Sequence, residues 1–149
     1  MNAGSVAKVI GILLFPLSVF AVAAEPAREP ALKEIMQGLR DNVFMIADGL
    51  FTDDMERIAQ GAAGIAHHPS IPPEQVQFVV AELGPEMPAF KQFDQQVHAL
   101  SVSIVSAAES QDARQVAADF HQLIDGCVGC HSSYKERVAK VLDNVPATK

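Results

Sequence analysis

Apolar residues recur along most of the chain at steps of three and four, the spacing of one face of an α-helix. The first stripe predicts a helix over residues 31–50. The second predicts a helix with Thr52 as its N-cap that ends near His67. Adjacent prolines in residues 70–73 exclude regular helix and predict a loop. The first stripe contains Leu32, Ile35, Met36, Leu39, Val43, Ile46 and Leu50, and the second Met55, Ile58, Ala59, Ala62, Ile65 and Ala66.

The second half of the chain continues the helical pattern. Residues 74–83 predict a short helical segment, a third long helix begins at about Pro88, and a fourth begins at Asp112. No stretch alternates apolar and polar residues as a half-buried strand would. Four amphipathic helices with mostly short connections predict an all-α protein, in the form of an antiparallel four-helix bundle. The last two stripes contain Phe90, Phe93, Val97, Leu100, Ile104 and Ala108, and Val116, Phe120, Leu123, Ile124, Cys127, His131, Tyr134, Val138 and Val141.

The N-terminal segment has the composition of a signal peptide. It carries one basic residue, Lys8, followed by an apolar run that is too short for a mature transmembrane helix and ends in small residues around Ala24. We therefore expect residues 1–24 to be removed on export to the periplasm, and residues 25–149 to form one domain. A retained membrane anchor is the alternative interpretation of the same segment.

The charge balance excludes some partners. The chain holds 18 acidic and 11 basic residues, a formal net charge of −7, and loss of Lys8 makes the mature protein more negative. Nucleic acids and anionic membranes are bound by clustered Lys and Arg, which this chain lacks. Protein partners with basic docking faces are the expectation, with no nucleic acid and no membrane after cleavage.

The two cysteines belong to one motif, Cys127-Val128-Gly129-Cys130-His131, the C-x-x-C-H pattern that attaches c-type haem. Residues three and four apart share a helix face, so Cys127, Cys130 and His131 leave the fourth helix together. The thiols would form thioethers with the porphyrin, and the imidazole would be the proximal iron ligand. Gly126 and Gly129 lack a Cβ, which would let the porphyrin approach the backbone.

Two other chemistries use such cysteines. A thioredoxin-type thiol centre would follow a strand in a βαβ unit, which this sequence does not contain. Structural zinc would need four nitrogen or sulfur ligands; the chain has no second cysteine pair, although His67 and His68 could complete such a set. Export to an oxidising compartment favours haem attachment. An exported thiol oxidoreductase or metal-binding bundle remains the alternative of another class.

With these residues, the chain resembles the class II c-type cytochromes, which are cytochrome c′ and its low-spin relatives. The resemblance covers residues 31–142, and its specific part is the haem motif followed by Tyr134 and Lys135. It implies one covalent haem c on the C-terminal helix of a four-helix bundle. Dimerisation is common in the family, so a homodimer is one expectation, for which Gly38 and Ala47 are small residues on the first helix.

The same resemblance supplies the second axial ligand. In low-spin members a Met on the first helix binds the iron opposite the His, and Met36 stands at that place. Met45 and Met55 are the other candidates; Met45 is about 180° round the helix from Met36. Ligation by His131 and Met36 implies an electron carrier, not an enzyme. If Met36 only packs on the porphyrin, the resemblance implies a five-coordinate cytochrome c′ that binds nitric oxide or carbon monoxide.

The remaining histidines separate by position. His121 lies ten residues before His131 on the same helix and cannot reach the opposite haem face. His98 is expected at the flank of the bundle. His67 and His68 end the second helix, where an imidazolium suits the negative end of the helix dipole. A distal haem ligand from this pair is the alternative.

Overall fold

The computed structural model describes residues 30–143, and every regular element within them is helical. This confirms the all-α prediction for these residues, among which no strand occurs. The expected signal peptide lies outside the described residues. The elements are α1 (Leu32–Thr52), α2 (Met55–Ala66), α3 (Pro73–Leu83), a 3₁₀ turn (Gly84–Glu86), α4 (Met87–Glu109), α5 (Ala113–Cys130), a π-helical segment (His131–Lys135) and α6 (Glu136–Asp143).

The turn between α1 and α2 corrects the predicted N-cap. Thr52 is the last residue of α1, and its hydroxyl donates to the Asp48 carbonyl at 2.8 Å. The chain reverses at Asp53, which adopts a left-handed conformation with φ 55°. Asp54 is therefore the N-cap of α2, and its carboxylate accepts a hydrogen bond from the Arg57 backbone N–H at 2.9 Å.

The long helices pack in the order α1, α2, α4 and α5, each against the next. Short turns between α1 and α2 and between α4 and α5 make those neighbours antiparallel. By contrast, α1 and α5 barely touch, so the bundle is open between them. The short helix α3 covers one end of the bundle and packs against the C-terminal helix α6. There Arg137 hydrogen-bonds Glu82 at 3.0 Å and Glu86 at 2.9 Å, and these hydrogen bonds raise the pKa of Arg137.

The buried side chains form two separate clusters. The main cluster joins α1, α2, α4 and α5, and the end cluster joins α1, α3 and the C-terminal helical segments. The opening between α1 and α5 lies beside both clusters, and the side chains of neither cluster fill it. The main cluster consists of Ile46, Ile58, Ala62, Ile65, Ile104, Ala107, Ala108, Val116 and Leu123, and the end cluster of Leu32, Val79, Leu83, Tyr134 and Val138.

Close packing of α1 against α2 depends on a glycine. A Cβ added to Gly61 would lie 2.8 Å from the Asn42 carbonyl oxygen and 3.0 Å from Ile46 Cγ1. The backbone oxygen cannot rotate away, so Gly61→Ala would push the two helices apart. We expect the free energy of unfolding to fall by about 1–3 kcal/mol, as for other overpacked cores, measured by urea denaturation.

A matched control lies on the same helix pair. Gly38 is exposed within α1, and a Cβ added there would meet no atom within 4 Å. Gly38→Ala should therefore stabilise the protein by up to about 1 kcal/mol through helix propensity alone. If the two substitutions changed the free energy of unfolding equally, contact between α1 and α2 would not determine the effect of Gly61→Ala.

Candidate functional site

The two cysteines lie in the last turn of α5, and His131 is the first residue of the π-helical segment. The carboxylate of Asp112 caps the start of α5 by accepting from the Gln115 N–H at 3.0 Å. Cys127 packs against the main cluster and Cys130 against the end cluster. The motif therefore occupies the junction between the two cores.

A cavity of about 580 Å³ opens beside this motif, within the size range of small-molecule and cofactor pockets. Cys127, Cys130 and His131 line it from the C-terminal helix, and Met36 lines it from α1. The four residues named by sequence reasoning thus border one cavity. Most of its wall is apolar, formed by side chains including Leu32, Ile35, Leu39, Val43, Ile71, Val76, Val79, Met87, Phe90, Phe93, Val97 and Ile124.

The structure separates the methionine candidates. Met36 borders the cavity and keeps 39% of its surface exposed, although it lies next to the buried Ile35. Met45 instead lines a shallow depression on the outer side of α1, and Met55 packs against the main cluster. A fourth methionine, Met87 at the start of α4, also borders the cavity. Sequence reasoning missed it, since nothing in its local pattern distinguishes it from a core residue.

Both thiols are unpaired and half-buried. Burial raises the pKa of Cys127 and Cys130 above the ordinary cysteine value, and the charges of Cys127 and Asp94 raise that of Cys130 further. A raised pKa keeps a thiol protonated near neutral pH and makes it a poor nucleophile. Catalytic thiols of C-x-x-C oxidoreductases have lowered values, so this environment is opposite to theirs.

The helix widens at His131. Residues His131–Lys135 form a π-helical segment, a feature found frequently at functional sites. Two hydroxyls bond to carbonyls of the preceding turn, from Ser132 to Val128 at 2.7 Å and from Ser133 to Gly129 at 3.0 Å. Within this segment, Tyr134 is buried in the end cluster, with its ring 5.5 Å from that of Phe90.

The two glycines of the motif region lie close to a neighbouring helix. A Cβ on Gly129 would lie 2.8 Å from Phe93 Cε1, and one on Gly126 would lie 3.1 Å from Val97 Cγ2. Both neighbours belong to α4. The glycines thus permit close approach of α5 to α4, although Gly126 also borders the cavity.

Polar residues border the cavity as well. Arg40 of α1 and Lys91 of α4 supply positive charge, and Asp94 supplies negative charge. His68 completes this set from the segment after α2, with Nε2 3.6 Å from Asp94 Oδ1. No sequence pattern linked these residues, because they come from three different parts of the chain.

The other histidines lie elsewhere. His121 is exposed, 3.9 Å from Asp125. His67 is the exposed C-cap residue of α2. His98 of α4 donates from Nδ1 to the carbonyl of Ala66 at 3.1 Å, and so caps the last residue of α2. This hydrogen bond between α2 and α4 was not predicted.

Comparison with protein-family models, with curated proteins and with solved structures found no match to this chain. Within residues 30–143, no group of three or more His, Cys, Asp or Glu residues is arranged to hold a metal ion. In that same part of the chain, no helix is long and apolar enough to span a bilayer.

Proposed function

We propose that this protein is a periplasmic class II c-type cytochrome that transfers single electrons through one covalent haem c. The observation that carries the proposal is the shared cavity: both cysteines and His131 of the attachment motif border an apolar pocket, and Met36 borders the same pocket from α1. A planar porphyrin needs an apolar space of this size, with thiols at its edge and iron ligands on its two faces. The residues present fit such a group.

Each side chain then has a defined task. Cys127 and Cys130 would hold the porphyrin through thioethers, and His131 and Met36 would supply the two iron ligands. When bound, the haem supplies a one-electron redox centre, whose potential is raised by a His/Met ligand pair. The apolar wall limits access of water. The protein is then an electron carrier, not an enzyme, and exchanges electrons with redox proteins that have basic docking faces.

A five-coordinate site is the second candidate. Its supporting observation is that Met36 is 39% exposed where it borders the cavity. If the sulfur only packs on the porphyrin, Ile35, Leu39 and Val43 would border an apolar distal space. Such a space admits nitric oxide or carbon monoxide and excludes anions.

An exported thiol oxidoreductase is less well supported, because burial raises the pKa of both thiols. A metal-binding bundle lacks a ligand set among residues 30–143. The deciding experiment for all four interpretations is an absorption spectrum of the purified mature protein in both oxidation states. A low-spin ferric spectrum with the Met-to-iron charge-transfer band supports electron transfer. A high-spin ferrous form that binds carbon monoxide supports gas binding, and a colourless protein with titratable thiols supports the thiol oxidoreductase or the metal-binding bundle.

We also propose a homodimer that forms through the outer face of α1. Phe51 is 89% exposed and Phe44 is 63% exposed on this face, where Ala47 also borders the surface depression. Gly38 does not border it. The flanking charges form ion pairs within the face, Arg57 with Asp48 at 2.6 Å and Arg40 with Asp41 at 2.7 Å. Two copies of an acidic protein repel each other where their surfaces are negatively charged. They can therefore associate most easily through a face that is apolar and locally neutral, such as this one.

Light scattering after gel filtration tests the dimer. The wild-type holoprotein should elute at twice the monomer mass at micromolar concentration, and Phe44→Ser/Phe51→Ser should elute as a monomer with an unchanged haem spectrum. Val102→Ser is the matched control, since Val102 is a 47% exposed apolar residue on α4. A monomeric wild type, or a double variant that remains dimeric, would contradict this interface.

A further inference from the structure

One buried carboxylate between α4 and α5 has no task in the proposed function. Asp119 of α5 keeps only 5% of its surface exposed. Its Oδ2 accepts a hydrogen bond from the Ser103 hydroxyl of α4 at 2.7 Å, and its Oδ1 accepts one from the Gln115 side-chain amide of α5 at 2.8 Å. Both donors are neutral groups. Because burial of a carboxylate costs free energy that neutral donors only partly offset, stability alone does not account for an acidic residue at this place.

The apolar contacts of α5 leave its rotation about its own axis poorly determined. Its apolar side chains cover a broad arc, from the buried Leu123 to Val128, which is 56% exposed and about 140° further round the helix. Hydrophobic attraction is not directional, so such an arc can pack in more than one orientation. A hydrogen bond between two helices is directional and forms in only one of these orientations. Ser103 and Asp119 form a bond of this kind between α4 and α5.

This hydrogen-bonded pair lies on the same helix seam as the glycine of the cysteine motif. Ser103 lies ten residues after Phe93, and Asp119 lies ten residues before Gly129, so the two pairs match each other in the antiparallel arrangement of α4 and α5. At the far end of the seam, a Cβ on Gly129 would lie 2.8 Å from Phe93 Cε1. The close approach at Gly129 therefore depends on the orientation of α5 that the Ser103–Asp119 bond selects.

The same orientation places the motif side chains. Gly126 lies seven residues after Asp119, on nearly the same side of α5, and a Cβ there would lie 3.1 Å from Val97 Cγ2 of α4. Cys127 projects about 100° further round the helix, where it borders the cavity, as His131 does one turn later. A rotation of α5 that moved Gly126 away from α4 would thus move both motif side chains from their places in the cavity wall.

We propose that Asp119 is a positioning residue for the candidate site. Its hydrogen bond with Ser103 fixes the rotation of α5 against α4, so that the glycine side of α5 faces α4 and the motif side chains face the cavity. Asp119 thereby contributes a single packing arrangement, as one buried polar residue does for the register of a coiled coil. This role is the same for any group that the cavity binds, so it does not rest on the proposed cytochrome function.

A double-mutant cycle between the two ends of the seam tests the proposal. Gly129→Ala places a Cβ against Phe93, and the Ser103–Asp119 bond prevents α5 from turning away. In a Ser103→Ala/Asp119→Ala background the helix can rotate, and no buried polar group is left unpaired because Gln115 is exposed. We expect Gly129→Ala to raise the unfolding equilibrium constant about tenfold more in the wild-type background, a difference within the range for overpacked cores. The helix propensity of Ala contributes equally in both backgrounds and cancels.

The measurement is urea denaturation of the purified full-length mature protein in both backgrounds. Ten residues of helix, about 15 Å, separate the two ends of the seam. Substitutions this far apart that act only on their local contacts have additive effects, to within about a factor of two in the equilibrium constant. A tenfold departure from additivity is therefore a result that a merely local, structural role of Asp119 would not produce.

Asp119→Asn is the conservative background. An amide accepts from the Ser103 hydroxyl through its oxygen and donates to the Gln115 side-chain oxygen through its nitrogen, so both hydrogen bonds can be retained. Gly129→Ala should keep its full wild-type effect in this background. This result would assign the positioning to the hydrogen bonds of residue 119.

Ser101→Ala is the matched control background. Ser101 is also buried in α4, but its hydroxyl donates to the Val97 carbonyl of its own helix at 2.7 Å and not to α5. The effect of Gly129→Ala should therefore be the same in this background as in the wild type. Loss of the effect in either the Ser101→Ala or the Asp119→Asn background would contradict the role of the bond between the helices.

Equal effects of Gly129→Ala in the wild-type and Ser103→Ala/Asp119→Ala backgrounds would overturn the proposal. If the doubly substituted background does not fold, Ser103→Ala alone replaces it, since this change removes the bond between the helices and keeps the bond within α5. An unchanged effect of Gly129→Ala there would overturn the proposal equally. The haem content of the same samples tests the cytochrome function separately, because every background keeps both cysteines and His131.

Discussion

Replacement of both Cys127 and Cys130 by Ala is expected to abolish covalent porphyrin attachment. The two thiols border the same cavity from one helix face, and no other cysteine exists in the chain to form a thioether. His131 and Met36 would remain, so any haem still bound would dissociate into acidified organic solvent. The measurement is haem staining of the denatured protein, together with acid extraction, after expression in a host that matures c-type cytochromes.

Single substitutions refine this experiment. Cys127→Ala and Cys130→Ala should each retain one thioether, and the pyridine haemochrome spectrum should shift because one vinyl group stays unsaturated. Ser132→Ala is the matched control: it removes only a hydroxyl that bonds to the Val128 carbonyl, next to the motif. A wild type whose porphyrin is fully extracted by acid would contradict the attachment. So would a double variant that keeps its haem stain.

The helices were predictable because local signals mark their ends. Pro69 follows the end of α2, Pro72 and Pro73 are the N-cap and first residue of α3, and Gly84 ends α3 with φ 48°. The error at Thr52 has a physical cause: Thr and Asp are both good N-caps, and the choice depends on which residue adopts the left-handed conformation. Here it is Asp53, which moves the cap one residue beyond it to Asp54.

The site was only partly predictable. Spacing placed Cys127, Cys130 and His131 on one helix face, and the resemblance indicated Met36; all four border the cavity. The π-helical segment that begins at His131 was not predictable, because the same residues suit either helical hydrogen-bond pattern. The close approach of Gly129 to α4 was not predictable for a related reason. Periodicity identifies a helix face, but the neighbour of that face, here Phe93, depends on how the helices cross.

The surroundings of the cavity are a product of tertiary structure alone. His68, Asp94 and Arg40 are separated by dozens of residues, and no local pattern connects them. They meet because α1 and α5 leave a gap that the segment after α2 and the start of α4 border. The motif residues are thus visible in the sequence, whereas the charged groups beside them are brought there only by the packing.

Met36→Leu should reduce the number of ligands on the haem iron from six to five. Leu has a similar volume, so the change costs less than about 1.5 kcal/mol of stability, but it lacks the sulfur that would bond to iron. We expect the ferric protein to lose its Met-to-iron charge-transfer band and to become high-spin. The ferrous form should bind carbon monoxide at least about tenfold more tightly, a difference of 1.4 kcal/mol, because the gas no longer displaces a bonded thioether. Optical titration with carbon monoxide gives both results.

Met87→Leu is the matched control for this experiment. Met87 borders the same cavity from α4 but packs against the end cluster, so its replacement should leave the low-spin spectrum and the carbon monoxide affinity unchanged. The reverse result, a conversion in Met87→Leu and none in Met36→Leu, would assign the distal ligand to α4 and contradict the resemblance at that position. A wild-type protein that is already high-spin and binds carbon monoxide would favour gas binding over electron transfer as the function. In that case Met36 is a packing residue, and its substitution by Leu changes only the shape of the distal space.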